Sequence, residues 1–92
     1  TFTSGGAGSA CTGQLVNNTA GDRAPLLLTA NHCVDNTTEA SSVVVYWRYE
    51  SPTCRTVGSA ANGTPIPRSQ ALATQSGATL VATHFGSDTT LL

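Results

Sequence analysis

Apolar positions in this 92-residue chain fall in short bursts separated by Gly, Asn, Ser, Thr and Pro. Ser9–Val16 alternates loosely between polar and apolar, and the Asn17–Asp22 stretch after it is dense in turn formers. Pro25–Ala30 is an apolar run too short for a free-standing helix and suited to a buried strand. Ser42–Tyr49 carries three valines, Tyr46 and Trp47, residues that fit a pleated, half-buried surface. Beyond Pro52 the pattern dissolves through Gly58, Asn62, Gly63, Pro65 and Pro67, where two closely spaced prolines disfavour any regular element. Ala71–Gln75 and Ala78–Phe85 resume the strand pattern on either side of Ser76 and Gly77, and Gly86-Ser87 turns the chain into Asp88–Leu92. The pattern predicts six or seven short strands, at most a single helical turn within Ala30–Asn36, and one domain without repeats or linkers. Such spacing points to an all-β chain closed as a single antiparallel barrel.

Composition narrows the function classes. Only 10% of residues are charged, against about 25% in an average soluble domain. Charge-driven disorder and long solvated helices both need more. Four Arg against five acids give a net charge of −1, which leaves no electrostatic footprint for nucleic acid or an anionic membrane. The longest apolar runs, Pro25–Leu28 and Val43–Trp47, fall far short of the roughly 18 residues of a membrane span. Thr1–Ala10 has neither the basic start nor the apolar middle of a signal peptide. Thr89–Leu92 reads as an apolar strand start, so the chain is expected to be part of a longer protein that covers its open edge.

Cys11, Cys33 and Cys54 allow three single bridges and leave one thiol over. With no Lys, few charges and abundant Ser and Thr, an exported, disulfide-containing protein is the expectation. A zinc site is disfavoured because no C-x-x-C pair is present. Three Asn-x-Thr sequons, beginning at Asn17, Asn36 and Asn62, are read as coincidences of a Thr-rich chain.

Acid–base chemistry near neutrality points to the two histidines. His32 directly follows the apolar strand and sits beside Cys33, where a cystine would pin the backbone of a catalytic base. His84 lies in an alternating strand without such an anchor and is read as structural. Among the five acids, Asp88 alone stands between a Gly-Ser turn and an apolar strand; Asp22, Asp35, Glu39 and Glu50 are read as solvated.

Leu28–Cys33 is similar to the L-T-A-A-H-C segment of chymotrypsin-like serine proteases, and Cys11–Val16 resembles the strand that precedes it. Ser87–Leu92 resembles the segment that supplies the triad aspartate. The likeness is strongest to the secreted bacterial lysyl endopeptidases, through Ala10–Ala20, Val44–Tyr49, Thr53–Arg55, Thr74–Gly77 and Ser87–Leu92 in the same order. The resemblance implies the N-terminal half of a two-barrel chymotrypsin-like fold, with the second barrel outside the chain. It also implies His32 as general base, Asp88 as its orienting acid, a Cys11–Cys33 bridge, and Cys54 paired with a segment upstream, hence unpaired within this chain. The implied substrate is a protein or peptide, with no cofactor and no metal. Asn31 stands where Ala is commoner and is expected to alter the edge of the substrate cleft, leaving the base in place.

The nucleophile is not found. Thr3-Ser4-Gly5-Gly6 lacks the glycine two residues before the serine and precedes the His strand, so Ser4 is not assigned. The expected function is therefore that of a serine endopeptidase fragment, inactive by itself, with Lys-directed cleavage hinted at by the absence of Lys. The alternative is a non-catalytic, protease-like β-barrel binding module.

Overall fold

The computed structural model describes residues 1–92. Eight strands follow one another as β1 (Phe2–Ser4), β2 (Ala7–Ser9), β3 (Gln14–Val16), β4 (Leu26–Thr29), β5 (Val44–Trp47), β6 (Ala73–Ser76), β7 (Ala82–His84) and β8 (Thr89–Leu91). One short helix, α1 (Thr37–Ser41), and a single 3-10 turn at Arg68–Gln70 complete the elements. The expected all-β class holds.

The single barrel does not. The strands form three separate sheets: the β1–β2 hairpin, a four-stranded sheet in the order β3-β4-β8-β7, and the β5–β6 pair. Between β1 and the chain entering β5 the backbone pairing is brief. At the start of β1, Thr1 and Val44 exchange two backbone bonds, each 2.7 Å. The next donor, the Thr3 amide, is taken by the Ser42 hydroxyl at 2.8 Å instead of by a strand carbonyl. A side chain thus ends the ladder after one pair, and β3 and β7 remain the edges of the four-stranded sheet. Barrel closure needs backbone pairing around the whole circuit.

Two contact-dense units make up the chain, residues 1–44 with 76–92, and residues 45–75. In the first, Phe2, Cys33, Val34, Ala40, Val43 and Leu92 form a small buried core. The edge expected to be open at Thr89–Leu92 is paired within the chain: β8 lies between β4 and β7, and Leu92 is buried and exchanges two backbone bonds with Leu27. Leu26–Thr29, expected to be buried, is only half-buried.

Helical structure also starts later than the pattern suggested. The Ala30 carbonyl accepts from the amides of Cys33 and Val34, which makes a tight turn around His32. The α-helix begins only after Asn36, whose side chain caps it by accepting from the Glu39 amide at 2.9 Å. The Glu39 carboxylate accepts in turn from the Ser4 hydroxyl and from the Asp35 amide. These two donors hold its pKa below the ordinary glutamate value.

The second unit is irregular, as its prolines predicted. Arg68 stacks over the Tyr46 ring at 5.4 Å, and the Tyr49 hydroxyl donates to the Ile66 carbonyl. Cys54 is exposed and forms no bridge within the chain.

Candidate active site

Non-local pairing brings the site together. β4 and β8 lie antiparallel, with Leu28 opposite Leu91 and Thr29 opposite Thr90. The end of β4, which leads into His32, thereby meets the start of β8, which follows Asp88. The two residues are 56 apart in sequence, and their side chains touch.

The Asp88 carboxylate engages His32 twice. One oxygen accepts from the His32 backbone amide at 2.8 Å and the other faces Nδ1 of the imidazole at 2.6 Å. The pKa of Asp88 lies below its ordinary value, chiefly because of the His32 amide and then because of the imidazole. An ionised carboxylate can only accept, so Nδ1 carries the proton in this bond. In the neutral imidazole, a proton on Nδ1 leaves the lone pair on Nε2. Both side chains are open to solvent, His32 at 72% and Asp88 at 52%, so the carboxylate is not the buried one a triad calls for.

The turn that presents Asp88 is built by its own residues. The Asp88 amide donates to the Phe85 carbonyl, and Asp88 sits at φ 48°, a left-handed conformation that Asp tolerates better than most residues. His84 Nδ1 accepts from the Ser87 amide at 3.1 Å and lies 3.0 Å from the Ser87 hydroxyl. His84 thus supplies an acceptor within the turn that leads to Asp88. Gly86 makes room for that imidazole, since a Cβ there would lie 2.9 Å from the ring.

Cys11 and Cys33 are joined, with their Cα atoms 6.3 Å apart, next to the His32 turn. His32 and the two sulfurs lie within 4.8 Å of one another, a metal-like cluster. The sulfurs are already bonded to each other and offer no thiolate, so the cluster is not a metal site. Beside Asp88 a depression of about 350 Å³ opens between Thr12–Gln14, Leu28–Ala30 and Thr89. Gly13 permits the close approach of β3 to β4 there, where a Cβ would lie 3.0 Å from the Leu28 carbonyl oxygen.

Two features were missed by sequence reasoning. Asn31, expected to alter the edge of the substrate cleft, is buried and its amide donates to the Thr83 hydroxyl at 2.7 Å. Thr90, read only as part of an apolar strand, is fully buried and donates to the Val34 carbonyl at 2.7 Å. The signal available was a polar Asn at the end of an apolar run, between Ala30 and His32, though nothing marked Thr83 as its partner.

The molecule is thus an all-β domain with a disulfide-flanked imidazole–carboxylate pair, an arrangement suited to moving a proton. The family model for the lysyl endopeptidase C-terminal domain matches residues 1–92, and the chain belongs to that family. The protein is therefore protease-related.

Proposed function

We propose that the chain is the N-terminal, histidine- and aspartate-bearing part of the protease domain of a secreted serine endopeptidase, with His32 the general base of a Ser-His-Asp triad and Asp88 its orienting acid. The observation that carries this reading is the 2.6 Å contact of Asp88 with His32 Nδ1, which turns Nε2 into the free acceptor. Nε2 takes the proton of the serine hydroxyl as that oxygen attacks the scissile carbonyl carbon. The imidazolium then returns the proton to the leaving amine, while Asp88 stays ionised and stabilises the cation.

The nucleophile and its oxyanion hole are assigned to a part of the protein outside residues 1–92. Within the chain, the Ser4 hydroxyl is committed to Glu39, and the Ser87 hydroxyl pairs with His84. The disulfide supports export, since such bridges persist in oxidising compartments. The substrate is a protein or peptide. Preference for cleavage after Lys is supported by the family description and by a composition without Lys, which spares these residues from self-cleavage.

The test is reaction of the full-length protein with a fluorophosphonate probe. Labelling that disappears in His32→Ala supports the assignment. Equal labelling of both removes His32 from the mechanism, and no labelling of either favours a non-catalytic binding module.

A further inference from the structure

On either side of His32 the chain is tied to the β7–β8 hairpin through a single line of hydrogen bonds. It runs from the Asn31 amide to the Thr83 hydroxyl (2.7 Å), from there to the Thr90 hydroxyl (2.6 Å), and on to the Val34 carbonyl (2.7 Å). Its direction is forced. The Val34 carbonyl can only accept, so the one proton of Thr90 goes there. Thr83 must then donate to Thr90, which leaves the Thr83 oxygen to accept, and Asn31 offers its NH₂. Thr83 and Thr90 lie directly opposite each other in the β7–β8 pair, so the strand register itself sets their spacing. Asn31 and Thr90 are both buried, where such bonds are strong and their loss is costly.

We propose that Asn31 and Thr83 form a positioning pair that clamps the His32 turn to the hairpin carrying Asp88, and so holds the imidazole at hydrogen-bonding distance from its carboxylate. The geometry has a simple logic. Asn31 is the residue before His32, Val34 is two after it, and both ends of the line converge on the hairpin that continues through the 85–88 turn into Asp88. Thr90 anchors the far side and Thr83 completes the near side. The bridge from Cys33 to Cys11 ties the turn to a different strand region, so it cannot replace this tie. Asn31 and Thr83 touch no reacting atom; they act through His32. The inference rests on the proposed role of His32 as base, but its structural content is independent of that role.

The experiment uses the full-length protein with Asn31→Ala, Thr83→Val, the double variant and Thr83→Ser. Asn31→Ala removes the first bond of the line together with the buried amide, and Thr83→Val, close in shape to threonine, removes the first two bonds. An ångström of misplacement at a catalytic group costs on the order of 100-fold. A loosened but still tethered imidazole should therefore lose about tenfold in kcat, with KM unchanged. The double variant should lose no more than either single one, and Thr83→Ser, which keeps the hydroxyl, should recover most of what Thr83→Val loses. The second readout needs no catalysis: ¹H–¹⁵N correlation spectra of the His32 ring should show one Nδ1–H tautomer in the wild type and a reduced share of it in Asn31→Ala and Thr83→Val. Unchanged kcat with unchanged tautomer, additive losses in the double variant, or a fall in kcat without a tautomer change would each overturn the proposal. A wild type without hydrolase activity, whose tautomer still responds to both variants, would uphold the clamp and refute the catalytic reading.

Discussion

Removing the Cys11–Cys33 bridge separates what the disulfide does for stability from what it does for the site. The bridge spans a sequence separation of 22, enclosing β3, the Asn17–Ala24 loop, β4 and His32 itself. In the chain-entropy model a loop of that size stabilises by about 3 kcal/mol, a large part of the roughly 5–15 kcal/mol of an ordinary domain. The His32 turn has other ties: Ala30 accepts from Cys33 and Val34, and Asn31 reaches Thr83. The double variant Cys11→Ala/Cys33→Ala should therefore unfold at markedly lower urea while its folded fraction keeps most of its kcat. Urea titration by circular dichroism, with activity measured below the transition, reads both quantities. A stability loss under about 1 kcal/mol would refute the loop-closure reasoning. An intact fold with abolished turnover would show that the bridge, not the hydrogen bonds, shapes the turn.

Other outcomes follow from the same geometry. Asp88→Asn keeps the left-handed turn and the acceptor for the His32 amide but presents an NH₂ to Nδ1, forcing the wrong tautomer; steady-state kinetics should show kcat down by on the order of 10⁴, with KM little changed. Thr90→Val leaves the Val34 carbonyl buried without its donor and should cost about 1–3 kcal/mol in urea unfolding. Asp88 and Glu39 both titrate below their ordinary values when folded, so the unfolded chain binds more protons in acid. Their contribution is complete above the usual carboxylate range of about 4 and lost as pH falls through the lowered values. Urea midpoints measured downward from about pH 6 should fall on that schedule, and less steeply in Glu39→Gln.

Much of the molecule could be read before its coordinates. The Leu26–Thr29 and Thr89–Leu91 strands announce themselves by apolar runs bounded by turn residues, and β5 by its valines and aromatics. The candidate site emerged from Leu28–Cys33 and Ser87–Leu92 through their resemblance to segments of chymotrypsin-like serine proteases. Structure that depends on distant partners was not legible. Apart from the buried Phe2, the Phe2–Ser9 hairpin is built of small, largely exposed residues with no alternation to reveal it. Whether short strands close into a barrel depends on which edges pair, and no local pattern specifies that β3 and β7 end as the edges of a four-stranded sheet. The Asn31–Thr83 bond joins residues 52 apart, and no pattern of polarity in one chain specifies such a partner.

The claim on which the account turns is that Nε2 of His32 is the reactive nitrogen at the site. A peptidyl chloromethyl ketone with Lys at its reactive end, given to the full-length protein, should alkylate that atom. Tryptic mapping should find one adduct, on the peptide running from Ala24 to Arg48, which contains His32 and no other histidine. An adduct on the peptide bearing His84, or full inactivation without modification of His32, would contradict the account.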